Sequence, residues 1–227
     1  MPKRIVATLT ALGLLLPAAC AGGATTSEKV DYQIDEPVTA LEIGARAAGV
    51  RITTGNGPVT VTEEYRYAKG KPATAHRVDG ATLRLTESGC ADDDARCEVR
   101  YRIRVPAPTS VEITAQAGAV DVDGLAGTMH VSTQAGAVEG RALTSDEVTV
   151  RTEAGATSLE FAEAPGLVRA TTGMGAVELR VPRTETYAVD VRAGVGGGTV
   201  HVTHDPASAH RIEVRSEVGT VSVEPRP

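Results

Sequence analysis

Two cysteines, Cys90 and Cys97, bracket three aspartates in the stretch GCADDDARC. Thiols at that spacing either close a disulfide, in an oxidising compartment, or join the carboxylates around a metal. A four-thiolate zinc site needs more cysteines than two. A bridge across so short a loop contributes about 2–3 kcal/mol, so a disulfide spanning a hairpin loop is the expectation. The second group with chemical potential is cationic. In EVRYRIRVP, Arg100, Arg102 and Arg104 alternate with Val99, Tyr101, Ile103 and Val105, which puts the three guanidiniums on one face of a strand. Arg66 and Arg84 on neighbouring strands would extend that face into an anion-binding ladder for an envelope polymer or a lipid headgroup. Glu64 and Glu98 can balance it as an ordinary solvated face, and Tyr65, Tyr67 and Tyr101 suit its buried side.

No constellation points to catalysis. The chain has no G-x-S-x-G, no H-E-x-x-H and no P-loop. His201 and His204, three apart on a strand, face opposite ways. His130 and His201 fall in outward columns, and with His76 and His210 the five histidines read as solvated strand residues, not as a metal site. Asp121 and Asp123 in DVDG point outward together but are too few for a calcium loop. Asp92, Asp93 and Asp94 suit a solvated loop tip. Polysaccharide-degrading enzymes gather carboxylates, calcium and basic groups in one groove, whereas here the charges are mixed along the strands. With no Trp and a single Phe, Phe161, aromatic platforms for sugars are scarce. The expectation is a non-enzymatic protein with no cofactor and no metal. A polysaccharide-active enzyme is the least favoured reading.

The first residues are an export signal rather than part of the fold. Lys3 and Arg4 precede an apolar run from Ile5 to Leu16, too short to cross a bilayer as a helix. The run ends in LLPAAC, and a small, polar stretch follows. The pattern resembles a bacterial lipoprotein signal, in which Cys20 becomes the lipidated first residue. Pro17 departs from that pattern, and Ala19-Cys20-Ala21 also fits ordinary signal cleavage. The expected location is the outer face of the cell membrane, reached by a lipid anchor, with free secretion as the alternative. A net charge of −6 at pH 7, more acidic still without Lys3 and Arg4, is poorly suited to nucleic acid.

The element that must position any site is a repeat. TQAGAV at 133–138 restates AQAGAV at 115–120. Aligned on the turn, Gly118, Gly136, Gly155, Gly175, Gly198 and Gly219 each sit between two short alternating segments, at steps of 18 to 23 residues. Apolar pairs precede the turn, from Val111/Ile113 and Met129/Val131 to Ile212/Val214. They follow it from Val120/Val122 to Val200/Val202 and Val221/Val223, with Gly140 and Thr157 as the exceptions. Period two means strands with one buried face. A two-strand unit cannot bury that face alone, so copies stack. The repeat predicts an all-β, single-chain β-solenoid of about six to seven coils, with hairpins in a β-sandwich as the competitor. GVGGG at 194–198 reads as a looser fifth corner. A phosphate cradle would need a helix to follow it, and strand follows instead.

The expected organisation is a signal at 1–19, a flexible tether at 20–37, a first coil plus a β-meander cap at 38–108, and solenoid repeats at 109–224. The cap would cover the first open end, and Pro225 and Pro227 would deny donors at the other.

The unit VEITAQAGAVDVDGLAGTMHVSTQAGAVEG, with RIRVPAPTSVEI and VELRVPRTETYAVDV, resembles the bacterial putative-adhesin family of unknown function over roughly residues 38–223. That resemblance implies an exported or membrane-tethered β-solenoid and surface interaction, with no catalytic residues to carry over. The function expected is a non-catalytic envelope scaffold that meets an envelope polymer or surface protein. An accessory or sensory lipoprotein acting on a membrane partner is the alternative.

Overall fold

In the computed structural model, residues 25–89 and 97–226 are described. They form strands and connecting turns, with no helix. The first six strands are β1 (Thr26–Ile34), β2 (Ala40–Thr54), β3 (Val59–Tyr67), β4 (Thr74–Asp79), β5 (Thr82–Glu87) and β6 (Glu98–Val105). Then come β7 (Ser110–Ala117), β8 (Val120–Asp123), β9 (Met129–Ala135), β10 (Val138–Leu143), β11 (Glu147–Ala154) and β12 (Thr157–Phe161). The last six are β13 (Leu167–Met174), β14 (Val177–Val181), β15 (Ala188–Val195), β16 (Gly198–Val200), β17 (Arg211–Val218) and β18 (Val221–Pro225).

The pairings sort these strands into two faces. One face runs β1, β3, β6, β2, β8, β10, β12, β14, β18, β16. The other runs β4, β5, β2, β7, β9, β11, β13, β17, β15. β2 is long enough to serve both: Ala40–Ala45 lies in the second face and Ala48–Thr54 in the first. Along each face from β2 out to β15 or β16 every pairing is parallel, which excludes the hairpin sandwich for the repeat and makes it a β-solenoid.

The repeat register holds in space. Val131, Val150 and Val214 are at most 2% exposed. All the apolar positions read from the repeat are buried except Val189, Val191, Val200 and Val202. A short hydroxyl ladder lies inside the same stack, with Thr152 donating to Thr172 Oγ1 at 2.9 Å and Ser216 Oγ donating to the Gly175 carbonyl at 3.3 Å.

The corner glycines are dictated by crowding as well as by positive φ. A Cβ on Gly155 would stand 1.9 Å from the Gly136 carbonyl oxygen, and one on Gly136 would stand 2.0 Å from that of Gly118. The same contact links Gly175 to Gly155, Gly219 to Gly175, and Gly196 to Gly219. The coils therefore pack glycine on carbonyl along one edge of the stack.

Five readings of the sequence are corrected by the structure. The fifth corner is Gly196 (φ 125°), not Gly198, which instead pairs with Val221. The last coil in sequence, β17–β18, is not the last in space. It lies between β13–β14 and β15–β16, because it carries a full apolar set while Gly198 leaves its rung without a side chain. Pro225 pairs with Val181 and so guards no open end. Within the stretch expected as a tether, Val30, Tyr32 and Ile34 alternate inward and make β1, antiparallel to β3. Finally, β5 and β6 are not hairpin partners. Each runs parallel to a different half of β2.

Candidate functional site

The arginine ladder is split by the fold. Arg84 on β5 lies in the opposite face from the others and pairs with Glu42 at 2.9 Å. Arg66, Arg100, Arg102 and Arg104 share the outer side of the first face, as the alternation requires. Arg100 makes a two-pronged pair with Glu98 at 2.7 and 3.1 Å, and Arg102 reaches Glu64 at 2.5 Å. Arg66 and Arg104 make no ion pair with another described residue, but they lie at opposite ends of the β3–β6 pair. Cys90 and Cys20 lie outside the described residues, so the Cys90–Cys97 bridge and the lipid on Cys20 stay expectations. Asp92 to Asp94 lie outside them too.

What the fold does assemble is a groove. Gly49 on β2 sits opposite Arg100, and both line a space of about 530 Å³ beside the glycine corner. Gly118 and Tyr101 line it, with Arg51, Arg100, Arg102 and Asp121 around it. Arg51 is held only loosely, 3.6 Å from Asp121. A second space of about 400 Å³ adjoins it across Glu98 and Arg100, reaching Lys29 and Arg66. Exposed ion pairs like these contribute about 0–1 kcal/mol each. An external carboxylate or phosphate can therefore replace an internal partner at little cost, and Arg supplies the planar fork that such groups accept. The sequence pointed to Arg100 and Arg102. It missed Arg51 and Gly49, because only the β2–β6 register brings them alongside.

A buried polar cluster lies behind this face. Glu63, 3% exposed, points inward. It accepts from Tyr32 at 2.6 Å, from Thr74 at 2.7 Å and from Tyr65. Burial, reinforced by Glu63, pushes the Tyr32 phenol well above its usual range and Tyr65 up to about 12. Burial likewise raises Tyr101, with Glu63 and Glu87 adding to it. Glu87, 4% exposed, accepts the backbone N–H groups of Arg46 and Ala47 at 2.8 and 2.9 Å. Carboxylates bonded in this way pin neighbouring strands together. The signal was present in the sequence: the alternation Val59, Val61, Glu63, Tyr65 already turns Glu63 inward. Among the described residues no three His, Cys, Asp or Glu side chains are grouped to hold a metal ion.

No family model matches the chain, and no curated protein matches it. Solved structures do. A putative cell adhesion protein from Clostridium sporogenes aligns with a TM-score of 0.56 at 14% identity, covering 88% of this chain and 100% of the other. A putative adhesin from Bacteroides fragilis covers 90% and 99% at 12% identity, with a TM-score of 0.33. A putative lipid binding protein from Parabacteroides distasonis covers 88% and 97% at 11% identity, also at 0.33. The first of these shares the fold of this chain.

Proposed function

We propose that the protein is an exported envelope lipoprotein whose β-solenoid is a non-catalytic scaffold for surface interaction, with the groove beside Gly49 as its contact site. The observation that carries this reading is the groove: three arginines over a glycine floor, each neutralised only by an exchangeable surface carboxylate. A shared fold with a structure described as a cell adhesion protein supports it. The ligand class is an anionic envelope polymer or an acidic protein surface.

In this reading a lipid on Cys20 leaves five residues before Thr26, the start of β1, a reach of at most about 18 Å. The glycine-corner edge of β1 then stays close to the bilayer, and β15–β16 points away from it. The strands β1 and β3 to β6 act as the cap of the near end, and the Cys90–Cys97 disulfide fastens the connection between β5 and β6. The test is binding of the mature domain to anionic envelope polymers at low salt. Arg51→Ala combined with Arg100→Ala should weaken capture about tenfold or more. Equal capture by both proteins would refute the site. Separately, Cys20→Ala should abolish labelling by a lipid precursor, and persistent labelling would refute anchoring there.

A further inference from the structure

The open end of the stack carries a histidine strap that the repeat does not need. After β16 the chain doubles back along the free edge of β15. Tyr187 N–H donates to the Thr203 carbonyl at 2.9 Å, and Asp205 N–H donates to the Tyr187 carbonyl at 3.0 Å. One residue further along β15, past Ala188, the strap's backbone no longer serves. Val189 N–H donates instead to His204 Nδ1 at 3.3 Å. The edge beyond, at Val191 and Ala193, has no strand beside it among the described residues.

We infer that His204 is a pH-sensitive latch on the distal edge of the solenoid. Nδ1 can accept from Val189 only while it carries no proton. Protonation puts N–H against N–H, so the contact exists only while the imidazole is neutral and is lost when acid protonates it. The charged groups that line the same space as this ring are Asp190 on β15 and Arg211 and Glu213 on β17; Asp205 follows it on the strap, and Arg192 pairs with Asp190. Asp190 pairs with Arg192 at 3.0 Å and Glu213 with Arg169 at 3.1 Å, so a protonated His204 competes with an arginine for either carboxylate. The other two histidines of the strap do not share the behaviour. His210 Nδ1 lies 2.9 Å from the Pro165 carbonyl, a bond that a protonated ring still donates. His201 meets Glu224 at 2.7 Å, a pair that protonation of the imidazole strengthens. Acid therefore frees the Val189 N–H while the backbone bonds of Thr203 and Asp205 to Tyr187 hold, and the bare edge of β15 lengthens from Val191 back to Val189. A bare strand edge is a template for another strand. The latch thus sets how much of the distal end can pair with a partner.

The test is a pH titration of the full mature domain by NMR. The Val189 amide resonance should shift with the same midpoint as the His204 imidazole. Its hydrogen exchange, corrected for intrinsic rate, should rise roughly fivefold across that midpoint, as expected for loss of one hydrogen bond. His204→Gln, which offers an uncharged acceptor, should abolish the pH response, and His201→Gln should leave it intact. A Val189 amide indifferent to pH, or a response that survives in His204→Gln, would overturn the latch. If the glutamine variant does not fold, coincidence of the two midpoints in the natural chain decides the question.

Discussion

The two ends of the stack are built differently. At the N-terminal end β1, β3 and β4 reverse direction and run antiparallel to their neighbours. Large side chains fill the last rungs there: Tyr65 and Tyr101 are buried, and Tyr32 stacks on His76 across the two faces at 4.3 Å. At the C-terminal end β15 and β16 stay parallel to the rest. Their rung is small side chains and glycine, and Val200 is 40% exposed where its register partner Val223 is buried. Parallel coils propagate indefinitely by themselves. Stopping them takes a change of strand direction and enough side-chain volume to cover the final rung. One end has both, while the other has a short strap.

The comparison can be broken at several strengths. Gly155→Ala should cost the most, more than about 4 kcal/mol, because the new Cβ would meet backbone of the next coil at 1.9 Å. Gly197→Ala at the open end meets nothing within 4 Å and should cost about 1 kcal/mol for its positive φ alone. Denaturant midpoints separate the two, and equal losses would deny that the ends differ from the middle. Val150→Asp should follow, at about 3–5 kcal/mol for a buried unpaired charge. Val191→Asp, at the equivalent rung of the half-open coil, should cost about 1 kcal/mol. Tyr32→Ala should cost about 3 kcal/mol by removing the stack on His76 and one of the donors to Glu63, whereas Tyr32→Phe should cost about 1 kcal/mol.

The smallest effect is alkaline. Tyr65 near one end and Tyr187 near the other are both raised to about 12, by burial first, with Glu63 and Glu185 respectively contributing. A phenol whose folded pKa lies above the unfolded value of about 10 favours the folded state fully below pH 10. That contribution drains away as pH rises through 12. Tyrosinate absorbance should therefore appear late in the folded protein, and melting should fall above pH 10 and not below it.

Most of the stack was legible because its code is local. Alternating valines with a glycine every coil specify strands, a buried side and a corner, and Val131, Val150 and Val214 fell where that pattern put them. β1 and Glu63 were legible too, in Val30, Tyr32, Ile34 and in Val59, Val61, Glu63, once period two is followed past an interruption. What local pattern could not give was order between distant segments. Nothing around Gly196 or Gly198 states that β17 will intervene between β13 and β15. That follows from which coil best fills the core, a comparison between segments some twenty residues apart. The groove escaped for the same reason. Arg51 and Arg100 are 49 positions apart in sequence and meet only through the register of β2 on β6.

The displaced coil is the central claim, because it decides which rung is the open one. The direct measurement is disulfide trapping between outward positions of the second face. Thr171 is in register with Arg215, and Arg215 with Arg192, so Thr171 and Arg192 stand two strands apart. The account predicts rapid cross-linking of Thr171→Cys with Arg215→Cys and none of Thr171→Cys with Arg192→Cys. The opposite pattern would contradict it and restore the order written in the sequence.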